Sequence, residues 1–274
     1  MESLLVPIDF SDNSLDAAQY ALDWLGQLNT NRVILYHSNA AENTSGETLS
    51  KALENIRKRL SKKMGAEVIC MVNNEILADG IAALVRQYQV SRIVMGITGR
   101  SKAGQKLIGS NVFRVSQRAD VPVLIVPAKT RFKKIENIVL ALPVISDLKN
   151  HIPHEEIKIF ARMLDAKLMI VNVGRNKDKT PKPALYAGLG DIFGMFDELA
   201  PSYHFLTARN TANSVAGFAR DNNAQLLVSI AGTHGFLEGM FKSSVTKRLA
   251  YDSTVPLLIY RASLTPGSSA SKVQ

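Results

Sequence analysis

The sequence predicts an α/β protein built from two tandem, doubly wound parallel sheets. Three observations carry that expectation. Short apolar runs alternate with segments of helical period, the pattern of strands joined by crossover helices. The pattern then restarts: Ile138-Val139-Leu140-Ala141 repeats Leu4-Leu5-Val6-Pro7 at an offset of 134, and Val255-Pro256-Leu257-Leu258-Ile259-Tyr260 repeats Val121 to Val126 at the same offset. Such self-similarity marks an internal duplication. Finally, 274 residues suffice for two domains that each bury a core. The boundaries expected are 1–130, 131–264 and a Pro/Gly/Ser-rich tail at 265–274.

Taken in order, Leu4 to Asp9 reads as a buried parallel strand ending in an acid. Ser11 or Asp12 can cap the next helix, whose apolar stripe runs Leu15, Ala18, Ala21, Leu22, Leu25. Val33 to His37 is a second strand, 47–64 a helix, Val68 to Val72 a third strand and Ile76 to Tyr88 a helix. Ile93-Val94-Met95 is the fourth strand, followed by a loop, a helix over 110–118 and a fifth strand from Val121 to Pro127. Residues 128–135 form a basic linker. In the second copy Leu168 to Val173 repeats the second strand, and Pro181 to Gly194 reads as an insertion with Tyr186 and Phe193, its aromatics and the adjoining Met195 and Phe196 given to core packing before a partner surface.

Composition excludes several classes. No apolar run approaches the roughly 20 residues of a membrane span, and no signal peptide is visible, so a cytoplasmic protein with no membrane partner is expected. The single cysteine, Cys70, reads as simple burial. The net charge of +9 favours anionic partners. Its densest cluster, Arg57-Lys58-Arg59 with Lys62 and Lys63, reads as a solvated helix face, and no nucleic-acid module accompanies it.

The stretch with chemical content is Met95-Gly96-Ile97-Thr98-Gly99-Arg100, continuing to Gly109-Ser110-Asn111-Val112. A strand stops at a glycine, a glycine-punctuated loop follows, and a helix opens. A helix N-terminus offers unpaired N–H groups to an anion, and glycine lets a ligand approach the backbone, which suits the phosphates of a nucleotide. The spacing is neither a Walker loop, since Gln105 follows Gly104, nor G-x-G-x-x-G. It is G-x2-G-x9-G-S, through Gly96, Gly99, Gly109 and Ser110. With Val6-Pro7-Ile8-Asp9-Phe10-Ser11 before it and Val121-Pro122-Val123-Leu124-Ile125-Val126 after it, the chain resembles the universal stress protein family, in tandem, over nearly its whole length.

That resemblance implies a Rossmann-like fold of the adenine nucleotide α-hydrolase type and an ATP site in the first half. Asp9 would meet the adenosine end, with Pro7, Ile8 and Met95 lining the pocket and Ser38 near the base or ribose. Gly96, Gly99 and Arg100 would lie along the phosphate loop, and Gly109, Ser110 and Asn111 would hold phosphate oxygens. Val112 stands where the family often has Thr or Ala, so a hydroxyl contact is in doubt. Mg²⁺ would come with ATP, there being no protein cage for it. The residues fit nucleotide binding better than dedicated catalysis, with weak ATP hydrolysis the upper limit.

The second half departs from the pattern. Pro143 replaces Asp9 and Ser243 replaces Gly109. Gly232-Thr233-His234-Gly235 aligns with Gly96 to Gly99 at an offset of 136, which implies a two-residue deletion before Ser244. No acid or nucleophile is spaced with His234. This half is expected to be degenerate for nucleotide. The leading expectation is therefore a stress-response or regulatory protein with one ATP or other adenine nucleotide. The alternative is a nucleotide-free module of the same fold that binds a protein partner. The apolar runs at 121–126 and 255–260, each with a proline near its start, suit edge strands that need cover. The resemblance implies that they pair antiparallel in an intrachain pseudo-dimer. A further homodimer is left open.

Overall fold

The computed structural model describes residues 3–40, 44–60, 65–97, 110–145, 148–174, 183–231 and 243–262. The expected tail at 265–274 lies outside them. Strands β1 (Ser3–Pro7), β2 (Arg32–Ser38), β3 (Glu67–Asn73), β4 (Val90–Ile97) and β5 (Val123–Pro127) alternate with helices α1 (Asp12–Trp24), α2 (Gly46–Leu60), α3 (Leu77–Gln87) and α4 (Ser110–Arg118). The second half repeats this with β6 (Asn137–Ala141), β7 (Lys167–Gly174), β8 (Ser202–Thr207), β9 (Leu226–Ala231) and β10 (Leu257–Arg261), and with α5 (His154–Met163), α6 (Pro183–Phe196), α7 (Thr211–Asp221) and α8 (Ser243–Asp252).

All ten strands form one sheet in the order β3-β2-β1-β4-β5-β10-β9-β6-β7-β8. Every neighbouring pair is parallel except β5 and β10, where Leu124 faces Leu258 and the neighbours pair as Ile125 with Leu257 and Val123 with Ile259. A local twofold thus runs through the Leu124–Leu258 pair. Each half ends in an apolar strand with one unpaired edge, and each edge covers the other. Pro122 and Pro256 sit just outside the junction and still accept through their carbonyls, from Ile93 at 3.0 Å and Leu227 at 2.9 Å.

Alternation along the strands divides the core in two. Leu4 and Val6 join Ala18, Trp24, Leu53, Phe160 and Phe196 under α1, α2, α5 and α6. Leu5, on the opposite face, joins Ile81, Leu84, Val115, Val215, Ala219 and Leu249 under α3, α4, α7 and α8. Both layers run unbroken through the junction. Trp24 of the first half meets Phe160 of the second edge-on at 6.1 Å, and the Arg92 guanidinium lies 4.4 Å over the same Phe160 ring. Lys58 and Arg59 of the basic cluster are exposed, and Arg57 pairs with Glu54.

Two expectations need correction and a third gains detail. The segment expected as an insertion around Pro181–Gly194 is none: from Pro183 it forms α6, the β7-to-β8 crossover and the counterpart of α2, and that helix buries Ile192, Met195 and Phe196. The linker is more than a span across the join. Gln27 brackets Ile135, accepting from its N–H at 2.8 Å and donating to its carbonyl at 2.7 Å, and Phe132 packs edge-on against Tyr20 at 5.5 Å. The offset of 136 does not hold in the sheet. Ile93 pairs with Val123 and Leu227 with Leu257, so the offset of 134 continues through β9, and the partner of Gly96 is Ile230, not Gly232. A sequence match on glycines slid two residues along a strand whose hydrogen bonds had not moved. No deletion before Ser244 is needed.

Candidate functional site

A cleft of about 460 Å³ opens at the carboxyl ends of β1 and β4, where the strand order reverses, the usual ligand position in an open α/β sheet. Eight of the residues singled out from sequence line it: Pro7, Ile8, Asp9, Ser38, Met95, Gly96, Asn111 and Val112. They come from β1, β2, β4, the first turn of α4 and the turn after β1. Gly99, Arg100 and Gly109 lie outside the described residues. Ser110 opens α4, and its side chain is likewise outside them.

The turn from β1 into α1 sets the acidic end. Phe10 holds φ at +61°, a left-handed conformation that is strained for a residue with a Cβ. This reversal brings Asp9 against the start of α1. Ser11 donates to Asp9 Oδ1 from its N–H at 3.0 Å and from its hydroxyl at 2.5 Å, and the same hydroxyl caps α1 by accepting from Ser14 N at 3.3 Å. Burial pushes the Asp9 carboxyl up, and the hydrogen bonds from Ser11 and Ser14 outweigh it, so Asp9 lies below its ordinary value. The cleft therefore carries a fixed carboxylate at neutral pH. Ser38 spends its hydroxyl on Glu75 O at 2.6 Å, so it shapes the wall through the backbone of the β3–α3 turn.

Gly96 answers a packing need. A Cβ there would stand 2.1 Å from Asn13 O and 2.6 Å from Asn13 C, because the first turn of α1 crosses directly over β4. The helix that carries Ser11 and Ser14 into the cleft can sit there only over a glycine.

Sequence reasoning missed four lining residues that matter: Ser11 as a ligand wall, His37, Ile76 and Leu77. His37 is buried, its Nδ1 is 2.7 Å from Ile8 O, and its ring is 4.8 Å from Phe10. A carbonyl only accepts, so Nδ1 carries a proton. The second half has the same bond from another residue: Asn172, at the position of His37, donates from Nδ2 to Leu142 O at 3.0 Å. Both bonds anchor the turn that leaves the first strand of a half. An apolar run ending in His offered no sign of this, because the bond joins residues 29 apart.

The counterpart cavity in the second half is about 20 Å³, room for about one water molecule. Its walls include Leu142, Pro143, Val173, Thr211, Ser229 and Val245. By the offset and the β6–β7 register, Pro143 and Val173 replace Asp9 and Ser38. The chain entry differs as well: α1 starts at Asp12 after β1 ends at Pro7, whereas α5 starts at His154 after β6 ends at Ala141. The longer connection turns inward, burying Leu148 and Ile152, and the backbone of Ile145 lies so close to α6 that a Cβ at Gly188 would meet its carbonyl oxygen at 2.5 Å. With no helix start pressed on β9, Ile230 is tolerated, fully buried, where Gly96 was required.

Among the described residues, no helix is long and apolar enough to cross a membrane. The chain is 18% identical to a universal stress protein from Archaeoglobus fulgidus, whose crystal structure matches with a TM-score of 0.69 over 94% of this chain and 98% of that one. It is 15% identical to a putative universal stress protein from Pseudomonas aeruginosa, at a TM-score of 0.61 over 96% of this chain and 94% of the other. These likenesses show the two-unit fold. In sequence, a universal stress protein of Methanocaldococcus jannaschii is 29% identical over 138 residues, 46% of this chain and 81% of its own. The model of the universal stress protein family matches residues 1–127, so the first half carries a universal stress protein domain.

Proposed function

We propose that this chain is a cytoplasmic stress-response or regulatory protein that binds one ATP, or another adenine nucleotide, in its first half. The observation that carries the reading is the contrast between the halves: an open, carboxylate-bearing cleft of about 460 Å³ in one and an apolar remnant of about 20 Å³ in the other. The larger volume lies within the roughly 300–1,000 Å³ of small-molecule sites. A carboxylate accepts from ribose hydroxyls or an exocyclic amine and repels phosphate, so the adenosine end lies at Asp9. The phosphates then point to the start of α4, where backbone N–H groups and the helix dipole favour anions. Mg²⁺ arrives with the nucleotide, and binding alters the surface offered to a protein partner. Hydrolysis is slow at most, because the described cleft holds one carboxylate and that group is engaged by Ser11.

Calorimetry of the purified chain with MgATP tests this. The expected result is a stoichiometry near one. Two equivalent sites refute the assignment of the second half, and no binding, together with no adenine nucleotide released on denaturation, leaves a nucleotide-free interaction module.

A further inference from the structure

We infer that Ile76 is a specificity-determining residue, kept at the cleft mouth to pack against the flat, apolar ring of the ligand at the expense of a helix cap. The inference rests on the nucleotide reading above and goes beyond it in naming what recognises the base.

Ile76 occupies the N-cap position of α3, with extended dihedrals (φ −57°, ψ 136°) and no side-chain cap. An aliphatic residue is among the poorest choices there, since it leaves orphan N–H groups of the first turn without a side-chain acceptor. Ile76 is also 60% exposed, and among the described large apolar residues only Ile159, at 64%, is more so. The duplication supplies the comparison. The equivalent position before α7 is Asn210, whose Oδ1 accepts from Asn213 N at 3.2 Å. The two helices have equal length and the same offset of 134, so the fold accepts a capping residue here. The half with the remnant cavity keeps the cap, and the half with the open cleft does without it. Ile76 lines that cleft with Leu77. A local rule broken at a cleft, and kept at its counterpart, marks a residue held for a ligand. A branched apolar side chain offers a purine ring dispersion contact and removal from water, and offers a phosphate nothing.

The test uses the full chain, with Ile76→Asn to import the second half's cap and Ile76→Leu as the conservative variant. Thermal unfolding without ligand should show Tm raised by roughly 2–4 °C for Ile76→Asn. Calorimetry should show MgATP binding weakened about tenfold in Ile76→Asn and within twofold of wild type in Ile76→Leu. Opposite movement of stability and affinity is something a merely structural residue would not give. A folded Ile76→Asn that binds MgATP like wild type overturns the inference, as does a Tm below wild type or an equal loss in Ile76→Leu. Should the Asn variant not fold, Ile76→Ser, which also caps, takes its place with the same outcomes. Absence of MgATP binding by the wild-type chain overturns the nucleotide reading instead, and the Tm shift still reports separately on the forgone cap.

Discussion

Replacing Gly96 by alanine should break the approach of α1 to β4. The added Cβ meets Asn13 O at 2.1 Å, Asn13 C at 2.6 Å and Ser14 N at 3.2 Å, all main-chain atoms of the first turn of α1. An ordinary contact starts near 3.4 Å, so strand and helix must part by about 1.3 Å. No rotamer change relieves it, because no side chain is involved. Overpacking of this kind costs about 1–3 kcal/mol, and rigid main chain places it at the upper end. Alanine returns about 0.5–1 kcal/mol as a better strand residue than glycine. A net loss of about 2 kcal/mol follows. Urea unfolding should show a lower midpoint with an unchanged slope. Because Ser11 and Ser14 ride on the displaced turn, MgATP affinity should fall in the folded variant too. Ile230 is the internal control: the same strand position in the second half carries a large side chain. Wild-type unfolding of Gly96→Ala would refute the close approach, and with it the account of why the two halves differ.

Two further outcomes follow from the same geometry. His37→Asn, which copies Asn172, should keep the bond to Ile8 O and stay near wild type in stability and MgATP affinity, whereas His37→Leu, leaving the carbonyl unpaired, should lose about 1–3 kcal/mol in urea unfolding. Asp9 lies below its ordinary 3.8 in the folded chain, because the Ser11 and Ser14 hydrogen bonds outweigh burial, so its contribution is present above that value and is lost as pH falls through the folded one. The stability difference between wild type and Asp9→Asn should therefore shrink as pH is lowered from 5 to below 3, and a constant difference over that range would refute the coupling.

The sequence by itself determined the fold class and the duplication. These are local or repetitive properties. Apolar runs separated by helical periods specify strands and crossovers, and apolar end strands with flanking prolines mark edges that need cover, while their antiparallel pairing was implied by the family resemblance. With the family resemblance it also named most of the residues that line the cleft, since strand ends and glycine-punctuated turns carry the motifs of that resemblance. The tertiary structure decided the rest. Which glycine matches which residue followed the hydrogen-bond register of the sheet, and that register held at Ile230 while the glycines suggested otherwise. That Gly96 makes room for α1, that His37 and Asn172 do the same work, and that Ile76 stands uncapped beside a cleft depend on distances between segments far apart in the chain. Such distances are set when helices pack on the sheet, and no window of sequence contains them.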